Sequence, residues 1–305
     1  MRCGLQDPSL DWDIHLGRVD LSRLPQLQPW RCFALDPETR GPWVIAGDLD
    51  GDGVCELVMA RAEQVARDEH ATVSVIALDL DGRELWRWGE PGKGTENLWH
   101  DIACQIHDWN GDGRNEVVIA ADRAVVRLDG ATGKELARFP IPAEASDCIA
   151  FADLRGVGRR TDVIVKNRYR DIWAYTMAGE LLWHLDHPGG YRTAHQARPM
   201  DIDDDGRDEV MAGYAMVDGD GQERFSLAGQ GLELGHGHLD CARLVRRETD
   251  SKDARLLHTL CGDDAIVCTD GAGRAIWKHV GEHYESIETG ALTRQHPGPQ
   301  IAVDT

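Results

Sequence analysis

Asp108-Trp-Asn110-Gly-Asp112-Gly113-Arg-Asn-Glu116-Val-Val-Ile-Ala120 is the stretch whose pattern decides the fold. Side-chain oxygens alternate along a tight turn, a glycine permits the bend, and an acid closes the set before an apolar run. Calcium, a hard cation that takes six to eight oxygens, is held by such turns. The same D-x-[DN]-x-D-G-x-x-E pattern recurs twice. One copy carries Asp48, Asp50, Asp52, Gly53 and Glu56, and the other Asp201, Asp203, Asp205, Gly206 and Glu209. In an EF-hand the closing acid comes at position 12 and a helix follows. Here it comes at position 9 and a strand follows: Leu57 to Ala60, Val117 to Ala120, Val210 to Ala212. The expected ligands of Ca²⁺ are therefore Asp48, Asp50, Asp52 and Glu56; Asp108, Asn110, Asp112 and Glu116; and Asp201, Asp203, Asp205 and Glu209. A fourth copy is decayed. Between Asp153 and Asp162, Arg155 and Val157 stand where carboxylates belong, and no ion is expected there.

The segments between these turns repeat too. Glycine turns lead into strands that end in tryptophan, at Asp81-Gly82 to Trp86, Gly179 to Trp183 and Gly273 to Trp277. Trp86 to Trp183 is 97 residues and Trp183 to Trp277 is 94, so the period lies near 47 to 48. Short strands and glycine turns at that period predict a β-propeller. The reading is all-β, with about six blade-like repeats over 41–305, the last incomplete. A segment over 1–40 caps the propeller or lends it an outer strand. The polar stretch Glu63 to Glu69 reads as a loop inserted in the first blade. The last repeat starts at Gly290. It belongs either to a fragment of a seven- or eight-bladed ring or to a six-bladed ring closed by the N-terminal segment.

Composition limits the partners. The 305 residues carry a net charge of −20, which repels nucleic acid and anionic membrane surfaces. Three calcium ions would reduce the charge only to −14, from −20 plus 6. No apolar run is long enough to span a membrane. The start, Met1-Arg-Cys-Gly-Leu-Gln-Asp-Pro, is no signal peptide, and the eight cysteines form no C-x-x-C pair. Cys104, Cys148 and Cys241 fall in apolar strands. As written, the sequence reads as cytoplasmic, and as secreted if its N-terminus is incomplete.

Histidines recur just before the blade strands: His100, His195, His236-Gly-His238 and His283. In a propeller such positions converge from successive blades, and an acid–base site follows. Arg168, Tyr169 and Arg170 follow the third repeat's strand. His236-Gly-His238 can also chelate a transition metal. Trp99 and Trp109 are candidates for stacking on a sugar. Gly92-Lys93-Gly94-Thr95 lacks the spacing of a phosphate loop.

The acidic turns resemble FG-GAP/VCBS calcium-binding propeller repeats. Glu209 to Gly221, followed by Gly235-His236-Gly-His238-Leu-Asp240, is similar to a region of the rhamnogalacturonan lyases of polysaccharide lyase family 11. The resemblance spans roughly 45–305. Members of that family are eight-bladed and longer than this chain, which favours the fragment reading. The resemblance implies β-elimination on a uronate-containing polysaccharide. That reaction needs a cation or arginine on the uronate carboxylate, a base for the C5 proton and an acid for the leaving oxygen. Arg168 or Arg170 suits the first role, His100, His195 or His238 the second, and Tyr169 or another histidine the third. Two other classes stay open. One is a non-catalytic propeller that binds glycan or protein. The other is a hydrolase using two of Asp101, Asp147 and Asp240.

Overall fold

The computed structural model describes residues 28–38, 40–66, 69–90, 92–94, 101–228, 237–246, 254–290 and 300–304. These residues contain no α-helix. Five antiparallel four-stranded sheets follow one another, then a two-stranded one. The first sheet holds β1 (Trp43–Gly47), β2 (Glu56–Ala66), β3 (Glu69–Leu78) and β4 (Glu84–Gly89). The second holds β5 (Cys104–His107), β6 (Glu116–Ala121), β7 (Ala124–Asp129) and β8 (Glu135–Pro140). The third holds β9 (Cys148–Ala152), β10 (Asp162–Lys166), β11 (Asp171–Tyr175) and β12 (Leu181–Asp186). The fourth holds β13 (Thr193–Met200), β14 (Glu209–Gly213), β15 (Ala215–Val217) and β16 (Glu223–Ser226). The fifth holds β17 (Leu239–Arg246), β18 (Arg255–Leu260), β19 (Ala265–Asp270) and β20 (Ala275–Val280). In the last, β21 (Ile287–Gly290) pairs with β22 (Gln300–Val303).

Each four-stranded sheet is a meander in which sequence neighbours pair. Antiparallel sheets usually alternate apolar and polar residues because one face meets water. Every residue of β6, β10, β14 and β19 is instead buried. The cores explain this, because each lies between two consecutive sheets. Val58, Ala60 and Val75 of the first sheet pack with Val117, Ile119 and Val126 of the second. Val118, Ala120 and Val125 on the other face of the second pack with Val163, Val165 and Trp173 of the third. The series continues through Ile164 with Val210, Met211 with Leu256, and Leu257 with Ile287. The first strands β1, β5, β9, β13, β17 and β21 are successive neighbours. Residues at one end of these strands therefore come together, although they lie far apart in sequence.

A clasp repeats between sheets. Trp86 of β4, Phe139 of β8, Trp183 of β12 and Phe225 of β16 each lie on a glycine turn of the next sheet. A Cβ at Gly133 would meet Trp86 at 2.5 Å, one at Gly179 would meet Phe139 at 2.5 Å, and one at Gly221 would meet Trp183 at 2.8 Å. Gly273 faces Phe225 in the same way, and Gly82 faces Phe33. The Trp86 indole also donates to Gly130 O at 2.7 Å, and that of Trp183 to Gly219 O at 3.1 Å.

Three sequence expectations change. The stretch from Glu63 is not an inserted loop: β2 runs to Ala66 and pairs with β3 through Glu63 opposite Ala71 and Gln64 opposite His70. The backbone ladder carries the hairpin beyond the core, with the end of β2 exposed and His70 and Thr72 of β3 buried. The final sheet begins at Ile287 rather than Gly290. Trp109 is buried in the core and donates to Thr161 O at 2.7 Å, so it offers no face to a sugar. Trp99 lies outside the described residues.

Candidate active site and cation-binding loops

The acidic turns share one frame. Asp48 accepts from Gly51 N at 2.7 Å and Gly53 N at 2.9 Å, and Glu56 accepts from Leu49 N at 2.7 Å. Asp108 and Glu116 do the same with Gly111, Gly113 and Trp109. Asp201 and Glu209 repeat it with Asp204, Gly206 and Ile202. Gly53, Gly113 and Gly206 sit at φ of 87°, 87° and 85°, which only glycine adopts without strain. Carboxylate oxygens of Asp48, Asp50 and Glu56 lie within 4.8 Å of one another, as do those of Asp201, Asp203 and Glu209. Burial, followed by repulsion from Asp50, Asp52 and Asp48, pushes the Glu56 carboxyl up despite its backbone hydrogen bond. The loop is thus short of positive charge. The decayed turn keeps the frame, with Asp153 accepting from Val157 N and Gly158 N and Asp162 from Leu154 N. The Arg155 guanidinium lies 2.9 Å from Asp162 and supplies a tethered cation. In the third acidic loop, Arg224 of β16 bonds both Asp203, at 2.9 Å, and Glu209.

These loops sit at the C-terminal ends of the first strands. A second cluster gathers at the opposite, N-terminal ends. Arg168 and Tyr169 follow β10, whose end pairs with the start of β9. Asp101 precedes β5, Asp147 precedes β9, His195 and Gln196 lie early in β13, and His238 and Asp240 open β17. Arg168 is 5% exposed; its Nη1 lies 3.3 Å from Asp101 Oδ2 and 3.6 Å from Asp147 Oδ1. Burial works against its charge, but Asp147, Tyr169 and Asp101 outweigh burial and raise its basicity. Fully buried Lys166 holds the other oxygen of Asp147 at 2.8 Å and donates to Arg168 O at 3.1 Å. Asp101 also accepts from Gln196 at 3.1 Å. Burial pushes the Asp101 carboxyl up, but His195, Gln196 and Arg168 together hold it below the usual range.

His195 Nε2 lies 2.7 Å from His238 Nε2, and Asp240 Oδ1 is 3.3 Å from the first and 3.0 Å from the second. The Asp240 oxygens are buried, and among the described residues no contact to them has hydrogen-bond geometry. His195, His238 and Asp240 each bring one ligand atom, all within 4.8 Å of one another, a group that could hold a divalent cation. Nitrogen donors among them suit a metal of borderline hardness better than calcium. His195 Nδ1 faces Asp101 Oδ2 at 3.8 Å, in the position of a carboxylate that orients a metal-binding imidazole. Desolvation pushes His238 down, outweighing Asp240, and so favours the neutral ring. Tyr169 packs with ring centroids 5.9 Å from His195 and 4.9 Å from His238. Guanidinium carbons of Arg168 and Arg192 lie 5.2 and 4.9 Å from the Tyr169 centroid.

Of the sequence candidates, His195, His238, Arg168 and Tyr169 thus share one place. His100 and His236 lie outside the described residues. Arg170 turns away to Asp186 at 3.0 Å and is solvent-exposed. Asp240, first read as a hydrolase carboxylate, is a partner of both histidines. Lys166 and Arg192 join the site unannounced, since a lysine ending an apolar strand and an arginine in a glycine-rich turn carry no motif.

No protein-family model matches the chain. The rhamnogalacturonan endolyase YesW of Bacillus subtilis (strain 168) is 28% identical over 264 residues, 65% of this chain and 41% of the relative. The exolyase YesX of the same organism is 23% identical over 347 residues, 92% of this chain and 55% of the relative. The chain is homologous to rhamnogalacturonan lyases. It spans about half the length of these curated relatives. The solved Bacillus licheniformis rhamnogalacturonan lyase superposes with a TM-score of 0.62 at 21% identity, covering 88% of this chain and 55% of that one. That likeness carries the fold, which is all-β and matches the lyase architecture.

Proposed function

We propose that the chain works as a calcium-stabilised β-propeller that cleaves uronate-containing polysaccharide of the rhamnogalacturonan type by β-elimination. The observation that carries this reading is the convergence of Arg168, Tyr169, His195, His238 and Asp240 at one end of the first strands, in a homologue of such lyases. The reaction breaks C5–H and C4–O and forms C4=C5. Arg168, permanently charged and held by Asp101 and Asp147, draws the uronate carboxylate and favours loss of the C5 proton. A divalent cation held by His195, His238 and Asp240 would add a second positive charge at that carboxylate. Tyr169, between the two imidazoles and the two guanidiniums, is placed to protonate the leaving oxygen. His238, kept neutral by burial, offers its lone pair either to the C5 proton or to the cation. Chelation separates these uses, because a rate that survives it assigns the imidazole to the base. Hydrolysis fits poorly, since Asp147 is tied to Lys166 and Arg168, and Asp101 to Arg168 and Gln196. The acidic loops, remote from this cluster, hold structural calcium.

Incubation with a panel of uronate polysaccharides tests the reading. Rising ultraviolet absorbance from the C4=C5 bond is expected, with His195→Ala and His238→Ala each lowering the rate ~10²-fold or more. Reducing ends without absorbance would instead indicate a hydrolase, and binding without cleavage a recognition module.

A further inference from the structure

The two oxygens of Asp240 face different neighbours. Oδ1 lies against His195 and His238, whereas Oδ2 faces His283 Nε2 at 3.9 Å. Asp240, Cys261 and His283 each bring one ligand atom, and these atoms lie within 4.8 Å of one another. Asp240 is 7% exposed, and its buried Oδ2 has no hydrogen bond among the described residues, while Oδ1 has only the two imidazoles beside it. Such a carboxylate carries an uncompensated desolvation cost that a cation would remove. Cys261 opens a one-turn 3₁₀ segment, Cys261–Asp263, between β18 and β19. That turn is pinned beside the site: Cys261 N donates to His238 O at 3.1 Å, and Tyr214 Oη donates to the same carbonyl at 3.0 Å. His283 lies on the solvent side, with Glu285 Oε1 at 2.9 Å from its Nε2 and Asp264 Oδ1 at 3.7 Å from its Nδ1.

We propose that Asp240, Cys261 and His283 form a second cation position, selective for a thiophilic metal such as Zn²⁺, which shares the Asp240 carboxylate with the histidine position. A sulfur, an imidazole nitrogen and a carboxylate are a zinc-type donor set and a poor calcium one. Glu285, already touching His283, is within reach as a fourth ligand. Bond lengths near 2.0–2.3 Å put tetrahedral ligands roughly 3.3–3.8 Å apart, so a contraction of about 1 Å closes the set. Because one carboxylate serves both positions, zinc on its Oδ2 lowers the charge that Oδ1 offers to the first. Only that effect on turnover rests on the lyase reading; the metal position itself does not.

Titration of the purified chain with Co²⁺, read as thiolate-to-cobalt charge-transfer absorption, tests the proposal without substrate. One equivalent of this absorption is expected, displaced by Zn²⁺ and not by Ca²⁺. It should vanish in Cys261→Ser and need at least ~10-fold more Co²⁺ in His283→Ala, an exposed position where folding is not at stake. It should persist in His195→Ala, which removes a ligand of the first position only. Absence of the band in the unsubstituted chain, or its survival in Cys261→Ser, overturns the site. Its loss in His195→Ala overturns the two-position arrangement in favour of one shared cation.

Discussion

Arg168 and Arg170 are two residues apart and chemically identical, yet only Arg168 joins the buried cluster. Both were equal candidates in the sequence, because strand alternation two residues past β10 says nothing about which guanidinium turns inward. Asp101, Asp147 and the Lys166 ammonium decide it, and they arrive from three different strands. A lysine keeps the charge at 168 but not the planar guanidinium, whose Nη1 lies beside both carboxylates and whose carbon lies over the Tyr169 ring. Arg168→Lys is therefore expected to lower kcat/KM on uronate polysaccharide by ~10²-fold, while Arg170→Lys stays within about twofold of the unsubstituted rate. Equal losses in both would remove the special role of Arg168. The histidines were legible as a recurring phase. Their true partner, Asp240, was legible only as an acid near the same phase, because a shared carboxylate is a three-dimensional fact.

At the scale of elements, the acidic turns could be read almost completely, since their chemistry is local and their spacing is fixed by the backbone. What the pattern could not give is the arginine tethered to the third loop. Arg224 comes from β16, fifteen residues beyond the Glu209 it meets. It offers the third loop an internal positive charge that the first loop lacks. Calorimetric titration should find calcium bound tightly by the first loop and more weakly by the third. Arg224→Gln should strengthen the third site, and Asp153–Asp162 should take up none. A fourth equivalent would contradict the assignment of Arg155 as its replacement. Strand β18 carries a different liability. His258 is fully buried, its ring bonded to Thr269 Oγ1 at 3.0 Å, and desolvation depresses its pKa to about 3. The unfolded chain binds this proton near pH 6.5 and the folded chain does not. Stability is thus fully present above pH 6.5 and falls on acidification toward pH 3, with a slope approaching ~1.4 kcal/mol per pH unit. His238, also depressed, adds to the slope in the same direction. Denaturant midpoints measured from pH 7 to pH 4 should fall, and less steeply in His258→Gln.

Across the whole molecule, the period of 47 to 48 residues was enough for the sheet series, because each sheet repeats one local meander and buries both faces against its neighbours. The polar tip of the β2–β3 hairpin escaped the reading because backbone pairing outlasts the hydrophobic pattern there. The histidines were read at the entries to the first strands and the acidic turns ahead of the second, but the distance between them was not legible. The acidic loops and the histidine cluster lie at opposite ends of the first strands. The six steps from His195 to Asp201 along β13, at ~3.3 Å each, put roughly 20 Å between them. Stability and turnover should accordingly separate. Asp48→Asn with Glu56→Gln is expected to lower the melting temperature and its rise with calcium while leaving KM unchanged. His195→Ala should do the reverse.

The clasp between sheets has a direction. At the four junctions between the four-stranded sheets an aromatic reaches forward to a glycine turn, so these sheets meet plug to socket. Such a heterologous contact does not pair with itself. The clasps therefore couple neighbouring sheets in one direction, while Asp101 and Gln196 tie the second sheet to the fourth at the cluster. Gly179→Ala puts a methyl into the socket of Phe139 and a side chain at a φ of 84°. At a cost of about 1–3 kcal/mol, this change should split a single unfolding transition in two, the sheets before Phe139 melting apart from those after it.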